Sequence, residues 1–330
     1  MRSTRRGGPY GMSVPSVDRS LLEQARARLR QQVRLTPLIC ETTTGIWLKC
    51  ENEQLTGSFK LRGALNRCLL LSPAELNQGL VAASAGNHGQ GVAFAARLLD
   101  ARATIVVPSD AIPCKVEAIR SLGADVQMVP GGYAAAEREG ERLATATGGV
   151  WVSPYNDAEV IAGQGTVGLE ILDEWGDENL RGPSELYVPV GGGGLAVGIG
   201  AALDRCRPQV RVIGVLPEAS PYLHAFFHTG SMAGVVERPT LADGLSGPVE
   251  ASSITLSLVR RYVDDMTLVS EREIREAMRW AHAHGMVVEP SAAVAIAACL
   301  RRGSGIRLAV VSGGNVDPGL WQEVTADGAA

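Results

Sequence analysis

Lys60 is the residue of this sequence whose surroundings most favour chemistry. It stands between the apolar residues Phe59 and Leu61, and apolar neighbours raise the cost of keeping an amine charged. An apolar pattern with the spacing of one helical face follows: Leu61, Ala64, Leu65, Cys68 and Leu69. It predicts a helix from about Ser58, whose positive end, with nearby Arg62, would further disfavour an ammonium group. Such a lysine suits an imine with a carbonyl cofactor; the alternative is a solvated lysine on an amphipathic helix.

The loop SAGNHGQG at 84–91 is a second candidate site. It follows an apolar run at 80–83, and its small residues would let the backbone approach a ligand. Amides at the start of the predicted helix could bind a carboxylate, and the Asn87 side chain could donate to a phenolic oxygen. His88 is expected to pack on its neighbours, and the alternative for the whole loop is an ordinary glycine-rich turn. The candidate substrate-binding residues are Ser84, Ala85, Gly86, Asn87 and His88.

A run of four glycines forms the third candidate site. Its residues are Gly191, Gly192, Gly193, Gly194 and Leu195. Consecutive amides of such a loop, at the start of a helix, can converge on a phosphate group. The loop also matches a dinucleotide-binding pattern loosely, but Leu216 occupies the position where that pattern expects an acidic residue. The sequence lacks the Lys-Ser or Lys-Thr pair of a nucleotide-triphosphatase loop here.

Ser312 opens the fourth candidate site, the string SGGN. Its hydroxyl could hydrogen-bond a pyridine nitrogen without holding that nitrogen protonated. The ring would then be a weaker electron sink, which favours expulsion of a β-leaving group. Taken alone, Ser312 also suits a plain turn.

Glu289 precedes Pro290 and is predicted to mark a helix start, and its chemical role stays open.

Alternating strands and helices would bring these loops together. Strands are predicted at 45–50, 80–83, 103–107, 124–129, 150–152, 186–190, 211–216 and 307–311. Helices are predicted at 18–33, 91–99, 113–122, 134–146, 162–175, 252–262, 271–284 and 291–300, besides those that begin near Ser58 and Leu195. Such alternation is typical of parallel βαβ units, and ligands of these sheets bind at the carboxyl ends of the strands.

The composition narrows the classes of function. The chain has 330 residues and a net charge of -4, so nucleic acid is not expected as a partner. The uncharged window 186–203 contains four glycines and Pro189, which argue against a membrane span. Six cysteines without a C-x-x-C pair indicate free thiols of a reducing compartment and hence a cytoplasmic protein. Residues 1–16 are predicted to form a mobile tail.

Several strings, in the same order, resemble one known family. They are TGSFK followed by LRGA, then SAGNHGQG, IAGQGT at 161–166, GGGGL and SGGNVD. They are similar to segments of the pyridoxal-phosphate (PLP) enzymes of the tryptophan-synthase β fold type, or fold type II, and resemble its threonine/serine dehydratase and serine racemase branch. The resemblance covers 31–317. It implies an α/β fold of two open twisted domains with the cofactor between them, a large one formed by 17–80 and 160–330 and a small one formed by 81–159.

The resemblance also implies roles for the candidate residues. Lys60 would bind PLP as an imine, Phe59 would pack against its ring, and Asn87 would contact its 3-oxygen. The four-glycine loop would hold the phosphate and Ser312 the ring nitrogen. The SAGNH loop would bind the substrate carboxylate. A homodimer would be the expected assembly.

The implied reaction is β-elimination from a hydroxy amino acid such as L-threonine or L-serine, which gives a 2-oxo acid and ammonia. Lys60 would remove the α-proton. Ala85 stands where serine racemases carry a serine that moves a proton on the other face of the substrate, so elimination is expected over racemisation. Leu216 stands where many relatives have a metal-binding glutamate, so no cation site is expected there.

Other functions are compatible with parts of this pattern. Within the same chemistry they are a serine racemase, a hydroxyaspartate dehydratase and a dehydratase of another specialised β-hydroxy amino acid. From another class, a nicotinamide-dependent oxidoreductase would use the four-glycine loop for pyrophosphate. A silent binding protein could retain the fold, although intact Lys60, Asn87 and Ser312 argue against it. The bulky segment 215–230 would either shape the substrate side or form a core or interface element.

Overall fold

The computed structural model describes residues 17–175, 183–204, 206, 209–301 and 305–326. The predicted tail at 1–16 lies outside these residues. In the described part, helices flank two sheets of mainly parallel strands, so the predicted α/β class is confirmed. No helix in these ranges combines the length and the apolar character needed to cross a bilayer.

Ten strands, thirteen α-helices and two short 3-10 helices, Glu51–Glu53 and Asp243–Leu245, are present in the described residues. The strands are β1 (Leu38–Glu41), β2 (Ile46–Cys50), β3 (Leu80–Ala83), β4 (Ala103–Pro108), β5 (Asp125–Val129), β6 (Val150–Trp151), β7 (Glu185–Pro189), β8 (Arg211–Pro217), β9 (Asp265–Val269) and β10 (Arg307–Val311). The helices are α1 (Arg19–Leu29), α2 (Lys60–Cys68), α3 (Pro73–Gln78), α4 (Asn87–Leu98), α5 (Pro113–Ser121), α6 (Tyr133–Thr147), α7 (Ala158–Glu174), α8 (Gly194–Leu203), α9 (Tyr222–Thr229), α10 (Thr255–Tyr262), α11 (Glu271–Ala283), α12 (Pro290–Leu300) and α13 (Pro318–Ala326).

The larger sheet has the strand order β1-β2-β10-β7-β8-β9. The β1–β2 pair is antiparallel and the other pairs are parallel. The last strand, β10, lies between β2 and β7, and all five of its residues are buried, as expected for a parallel strand that is covered on both faces. The segments that follow β2, β10 and β7 therefore leave the sheet on the same side, at the carboxyl ends of these strands. These segments contain Lys60, Ser312 and the four glycines.

The smaller sheet has the order β5-β4-β3-β6, and all its pairs are parallel. The loop after β3 contains Ser84 and leads into α4. The segment after β6 contains Pro154 and Tyr155 and leads into α7. This sheet therefore contributes two further loops at the carboxyl ends of parallel strands, where ligands of α/β proteins bind.

Helix α7 packs against both α2 and α8 through glycines. A Cβ atom on Gly163 would lie 2.6 Å from the carbonyl oxygen of Arg62 in α2, and one on Gly198 in α8 would lie 2.6 Å from the Gly165 amide nitrogen. Only residues without a side chain allow helix backbones to approach this closely. The backbone of α7 therefore separates the helix that begins at Lys60 from the helix that follows the four glycines.

The boundaries of several elements differ from the prediction because of local capping. Helix α7 begins at Ala158, four residues before the predicted start, because Asp157 accepts hydrogen bonds from the amides of Glu159 and Val160. Such a side chain satisfies the free amides of a helix start. Helix α4 begins at Asn87, so the predicted start at 91 was wrong and the loop is shorter than 84–91.

Short elements account for most of what the sequence pattern did not predict. They are β1, α3, β9, α9 and α13. The bulky segment 215–230 contains α9, in which Leu223 is buried and Phe226 and Phe227 pack against the core of the larger sheet. A Cβ atom on Gly193 would lie 3.2 Å from Leu223. Within the described residues, α9 is therefore a core element that supports the four-glycine loop.

Candidate active site

The lysine segment is fixed to the loop that follows β10. The Phe59 amide donates to the Ser312 carbonyl at 3.1 Å, and Ser58 forms an isolated antiparallel bridge with Gly313. Ser312 itself is 2% exposed. The structure thus brings Lys60, the first residue of α2, beside Ser312, although 252 positions separate them in the sequence.

Lys60 is held by few polar contacts. Its Nζ atom donates to the Pro154 carbonyl at 3.1 Å and lies 5.3 Å from the centroid of the Phe59 ring. Burial lowers the pKa of Lys60 to about 8, although the Glu289 carboxylate opposes this shift. The predicted weakening of its ionisation is thus present, and the cause is desolvation.

Arg62 does not contribute to that weakening, contrary to the prediction. Its guanidinium is fully buried and donates to Glu51 at 2.8 Å and to Glu170 at 2.6 and 2.9 Å. Burial alone would lower the pKa of Arg62, but the two carboxylates outweigh it and raise that pKa. Lys49 extends this group through Glu170 at 2.9 Å and Glu174 at 2.7 Å. The positive charge of Arg62 is therefore compensated on the side of α2 away from the site.

The side chains of Asn87 and Glu289 contact each other. The Asn87 amide nitrogen donates to Glu289 Oε1 at 2.7 Å, and Asn315 donates to Asn87 Oδ1 at 2.7 Å. Burial raises the pKa of Glu289 to about 7, against the opposing effects of Lys115, Asn87 and Lys60. Glu289 occupies the N-cap position of α12, as expected for a helix start, but its side chain caps no amide.

Sequence reasoning left this role of Glu289 open. A glutamate at the cap position of a helix usually has a local partner, and here the partner is 202 positions away. The burial of Glu289 is the signal that identifies it as a site residue, because an ionisable side chain that is almost fully buried needs specific partners. No local feature of the sequence predicts that burial.

The loop after β3 holds the predicted carboxylate-binding residues. The Gly86 amide donates to Ser84 Oγ at 3.1 Å, and Ala85 packs on the core of the smaller sheet. His88 is buried, with Nε2 2.8 Å from the Val152 carbonyl. Burial lowers the pKa of His88 to about 3, so the ring stays neutral and packs on its neighbours. The start of α4 next to this loop offers free amides to an anion.

The four-glycine loop has a row of backbone amides that lack hydrogen-bond acceptors among the described residues. The amides of Gly191, Gly192 and Gly193 donate to no acceptor in the described part of the chain, and they precede the positive end of α8. Gly193 has φ +89, a left-handed conformation that favours glycine. Tyr155 lies directly against Gly192, and it follows the residue whose carbonyl accepts from Lys60. The loop and Lys60 are therefore close neighbours.

We call the space bordered by Lys60, Asn87, the four-glycine loop and Ser312 the cleft. Its donor set fits an aldehyde that bears a phosphate and a pyridine ring. A lysine with a lowered pKa suits the aldehyde, the free amides suit the phosphate, and the buried Ser312 side chain suits a ring nitrogen. The buried hydroxyl of Ser58, beside the lysine, has no partner among the described residues. A buried polar atom of this kind is expected to gain a partner from a ligand or water.

Comparisons with known proteins agree with this chemistry. A family model described as pyridoxal-phosphate dependent enzyme matches residues 29–312. An L-threonine ammonia-lyase of Thermotoga maritima is 41% identical over 317 residues, which cover 93% of this chain and 78% of the relative. The structure of maize serine racemase superposes with a TM-score of 0.85 at 32% identity, covering 94% of this chain and 97% of that one. The processed form of threonine deaminase isoform 2 from Solanum lycopersicum superposes with a TM-score of 0.84 at 30% identity, covering 95% of each chain.

Proposed function

The chain belongs to the family of pyridoxal-phosphate-dependent enzymes, and from that premise we propose that it is an ammonia-lyase. It converts a β-hydroxy amino acid, L-threonine or L-serine first, into a 2-oxo acid and ammonia by β-elimination. The observation that supports this most directly is the amine of Lys60, whose pKa is about 8, beside the buried Ser312 and the free amides of the four-glycine loop. The name of the Thermotoga maritima relative supports the choice of threonine.

Five parts of the site would hold the cofactor. Lys60 would bind its aldehyde, Phe59 would pack on its ring, and Asn87 and Ser312 would hydrogen-bond its 3-oxygen and ring nitrogen. The loop from Gly191 to Leu195 would bind its phosphate. When bound, PLP supplies an electron sink that makes the α-proton of the amino acid acidic.

Lys60 would then act as the base. Its lowered pKa makes the neutral amine available near pH 8, and a base works best when its pKa is close to the working pH. The Pro154 carbonyl, which accepts from Nζ at 3.1 Å, keeps the amine in the cleft. Ser312 would offer the ring nitrogen a hydroxyl and not a carboxylate, and such a contact would favour loss of the β-hydroxyl group.

The residues from Ser84 to His88 would bind the substrate carboxylate through backbone amides at the start of α4. Ala85 has no proton to donate, so the face of the substrate opposite Lys60 would meet no acid from this position. Elimination is therefore favoured over the inversion that a serine racemase performs. The same amides would accept a hydroxyaspartate or another hydroxy amino acid, and these remain the alternatives within this chemistry.

The alternative from another class, a nicotinamide-dependent oxidoreductase, is disfavoured by the residues of β8. A dinucleotide site needs an acidic residue for the ribose after the second strand. Leu216 is buried inside β8 instead. For the same reason we propose that no cation binds at Leu216, because the side chain offers no oxygen ligand.

The division into a large domain (17–80 and 160–330) and a small domain (81–159) is also a proposal. The four strands of the smaller sheet fall between Leu80 and Trp151, and all of their residues except Leu80 lie in the proposed small domain, which supports the division. A homodimer is proposed from the family likeness. The free cysteines among the described residues are compatible with a cytoplasmic location. Light scattering of the purified protein would test the dimer.

The decisive experiment uses the purified, PLP-loaded protein with both enantiomers of serine, threonine and 3-hydroxyaspartate. Products are resolved by chiral chromatography, and 2-oxo acids are quantified. We expect oxo acid and ammonia from one enantiomer of threonine or serine, without inverted amino acid. Inversion without oxo acid would indicate a racemase. A protein that binds NAD and not PLP would contradict the proposal.

A chemical label tests the role of Lys60 independently. Borohydride reduction should fix the cofactor on one of only three lysines, Lys49, Lys60 and Lys115. We expect the label on Lys60, because Lys49 is fully buried in ion pairs and Lys115 pairs with Asp243 at 2.7 Å. A label on either of the other two would show that Lys60 is not the attachment site.

A further inference from the structure

Three amide and carboxylate side chains form one continuous hydrogen-bonded row across the cleft. Asn315 Nδ2 donates to the Thr56 carbonyl at 2.8 Å and to Asn87 Oδ1 at 2.7 Å. Asn87 Nδ2 then donates to Glu289 Oε1 at 2.7 Å. We call Asn315, Asn87 and Glu289 the amide row. Asn87 starts α4 next to the smaller sheet, whereas the other two follow β10 and precede α12 at the larger sheet.

The direction of every donor in the amide row is set at one end by the backbone. A carbonyl oxygen can only accept, so Thr56 requires the NH2 group of Asn315 to face it. That same NH2 group must then meet an acceptor on Asn87, which is Oδ1. The NH2 group of Asn87 is thereby turned to Glu289, whose carboxylate is an acceptor. An asparagine alone could adopt either orientation, because its oxygen and nitrogen have the same shape.

Packing leaves the two outer side chains little room to turn. A Cβ atom on Gly57 would lie 2.5 Å from Asn315 Oδ1, and one on Gly313 would overlap the Glu289 carboxylate. Glu289 is 7% exposed. Both ends of the amide row therefore fit against glycines, which holds Asn315 and Glu289 in the geometry that orients Asn87.

We propose that Glu289 and Asn315 are positioning residues for Asn87, which ensure that its NH2 group and not its oxygen is presented to the 3-oxygen of the cofactor. One hydrogen of that NH2 group binds Glu289, and the second, which has no acceptor among the described residues, can donate to the phenolic oxygen. A reversed amide would place two oxygens against each other and lose this bond. The proposal rests on the proposed function, since it concerns the contact of Asn87 with PLP.

Three variants of the full chain test the proposal by spectroscopy and cofactor affinity. Glu289→Leu removes the acceptor at nearly constant size, and Asn315→Asp removes the donor without changing the shape. For both we expect about tenfold weaker PLP binding, which corresponds to ~1.4 kcal/mol. We also expect a lower ratio of visible to near-ultraviolet absorption of the bound cofactor, because its 3-oxygen loses a donor. Glu289→Gln keeps an acceptor and should restore both readouts to within about twofold of the original protein.

Asn77→Asp is the matched control, because it makes the same change of an amide to a carboxylate on α3, at a residue outside the site. It should leave the spectrum and the affinity unchanged. Wild-type spectra in both Glu289→Leu and Asn315→Asp would overturn the proposal, as would Glu289→Gln behaving like Glu289→Leu. Should one of these variants fail to fold, the other tests the same orientation from the opposite end. Failure of the unmodified protein to bind PLP at all would instead contradict the proposed function, and the inference with it.

Discussion

Lys60 and Arg62 lie two positions apart at the start of α2, in opposite electrostatic surroundings. Lys60 faces the cleft, where a carbonyl at 3.1 Å is its one hydrogen-bond acceptor among the described residues, and its pKa falls to about 8. Arg62 faces the interior, where two carboxylates meet its guanidinium, and its pKa rises. Burial disfavours the charge of both residues, so the counter-charges decide the outcome.

This difference separates a reactive cation from a structural one. A buried charge that lacks a full set of partners loses its proton more easily and becomes a base or nucleophile. A buried charge that is fully paired keeps its proton and instead fixes the elements that meet at it. Arg62 joins α2 to Glu51 after β2 and to Glu170 in α7, and this holds in place the helix turn that presents Lys60.

Replacing Lys60 should have the largest effect on activity. In Lys60→Ala we expect ammonia release to fall by about 10^4-fold or more, because a general base alone contributes up to about that factor and the proposed attachment point of the cofactor is lost as well. The measurement is 2-oxo acid production, with circular dichroism to establish that the fold is retained. Lys115→Ala should still accept the borohydride label. Activity of Lys60→Ala near the original value would show that Lys60 is not the reactive cation of the pair.

Replacing Arg62 should affect folding most. Arg62→Leu leaves Glu51 and Glu170 buried with one cation fewer, and breaking a buried ion group costs about 3–5 kcal/mol. We expect the free energy of unfolding in urea to drop by this amount. Arg120→Leu is the control: within the described ranges the Arg120 side chain makes only an exposed ion pair at 4.0 Å, so its loss should cost less than ~0.5 kcal/mol. A cost of Arg62→Leu as small as that of the control would show that Arg62 does not anchor α2.

The pH dependence of cofactor loading should reveal the lowered pKa of Lys60. Only the neutral amine attacks an aldehyde, so the rate at which the cofactor-free protein binds PLP should rise with pH and reach half of its maximum near pH 8. An ordinary lysine would keep gaining reactivity up to about pH 10.4. Rapid mixing with absorbance detection would measure the midpoint. A midpoint near that of an ordinary lysine would mean that desolvation does not act on Lys60.

Glu289 should shift that midpoint by a smaller amount. Its negative charge raises the pKa of Lys60 against the effect of burial, so Glu289→Gln should lower the loading midpoint. The other charged groups that face Glu289 are Lys115 and Asp243. They form an ion pair with each other and stay unchanged in the variant. An unchanged or higher midpoint would show that Glu289 is not ionised next to Lys60.

The smallest expected effect is a gain of racemase activity, from a proton donor placed at the face of the substrate opposite Lys60. Ala85→Ser would add a hydroxyl where Lys60 now has no counterpart, and we expect slow inversion of serine beside continued elimination. Chiral chromatography of the unreacted amino acid would detect it. The absence of any inversion would mean that the residue at this position does not decide between elimination and racemisation.

From the sequence alone, the candidate site residues that could be named are those that lie in continuous strings. Lys60, the four glycines and Ser312 each follow a strand of one sheet, and their residue types suggest a chemistry without reference to distant residues. The role of Glu289 depends on a contact 202 positions away, and no local pattern contains it. The environment of Arg62 was predicted wrongly for the same reason, because Glu51 and Glu170 meet it only after α7 has packed on α2.

Short elements were missed on different physical grounds. Helix α3 depends on the capping box of Ser72 and Glu75 more than on an apolar face, since none of its residues is buried. Strand β9 lies at the edge of the larger sheet and has two buried residues, Met266 and Val269. Its pairing with β8 is what defines it. A pattern of apolar residues is too short in such segments to distinguish helix from strand.

The glycine contacts of α7 limit both the thermal motion of this site and the ways in which it can differ between related proteins. Because Gly163 touches the Arg62 backbone and Gly165 touches Gly198, the spacing between Lys60 and the four-glycine loop is set by main-chain atoms, which have no rotamers to change. The two ends of the cleft should therefore show little independent thermal motion. New substrate preferences should then arise by exchanging loop side chains, while any methyl group added between these helices would misalign the whole cleft at once.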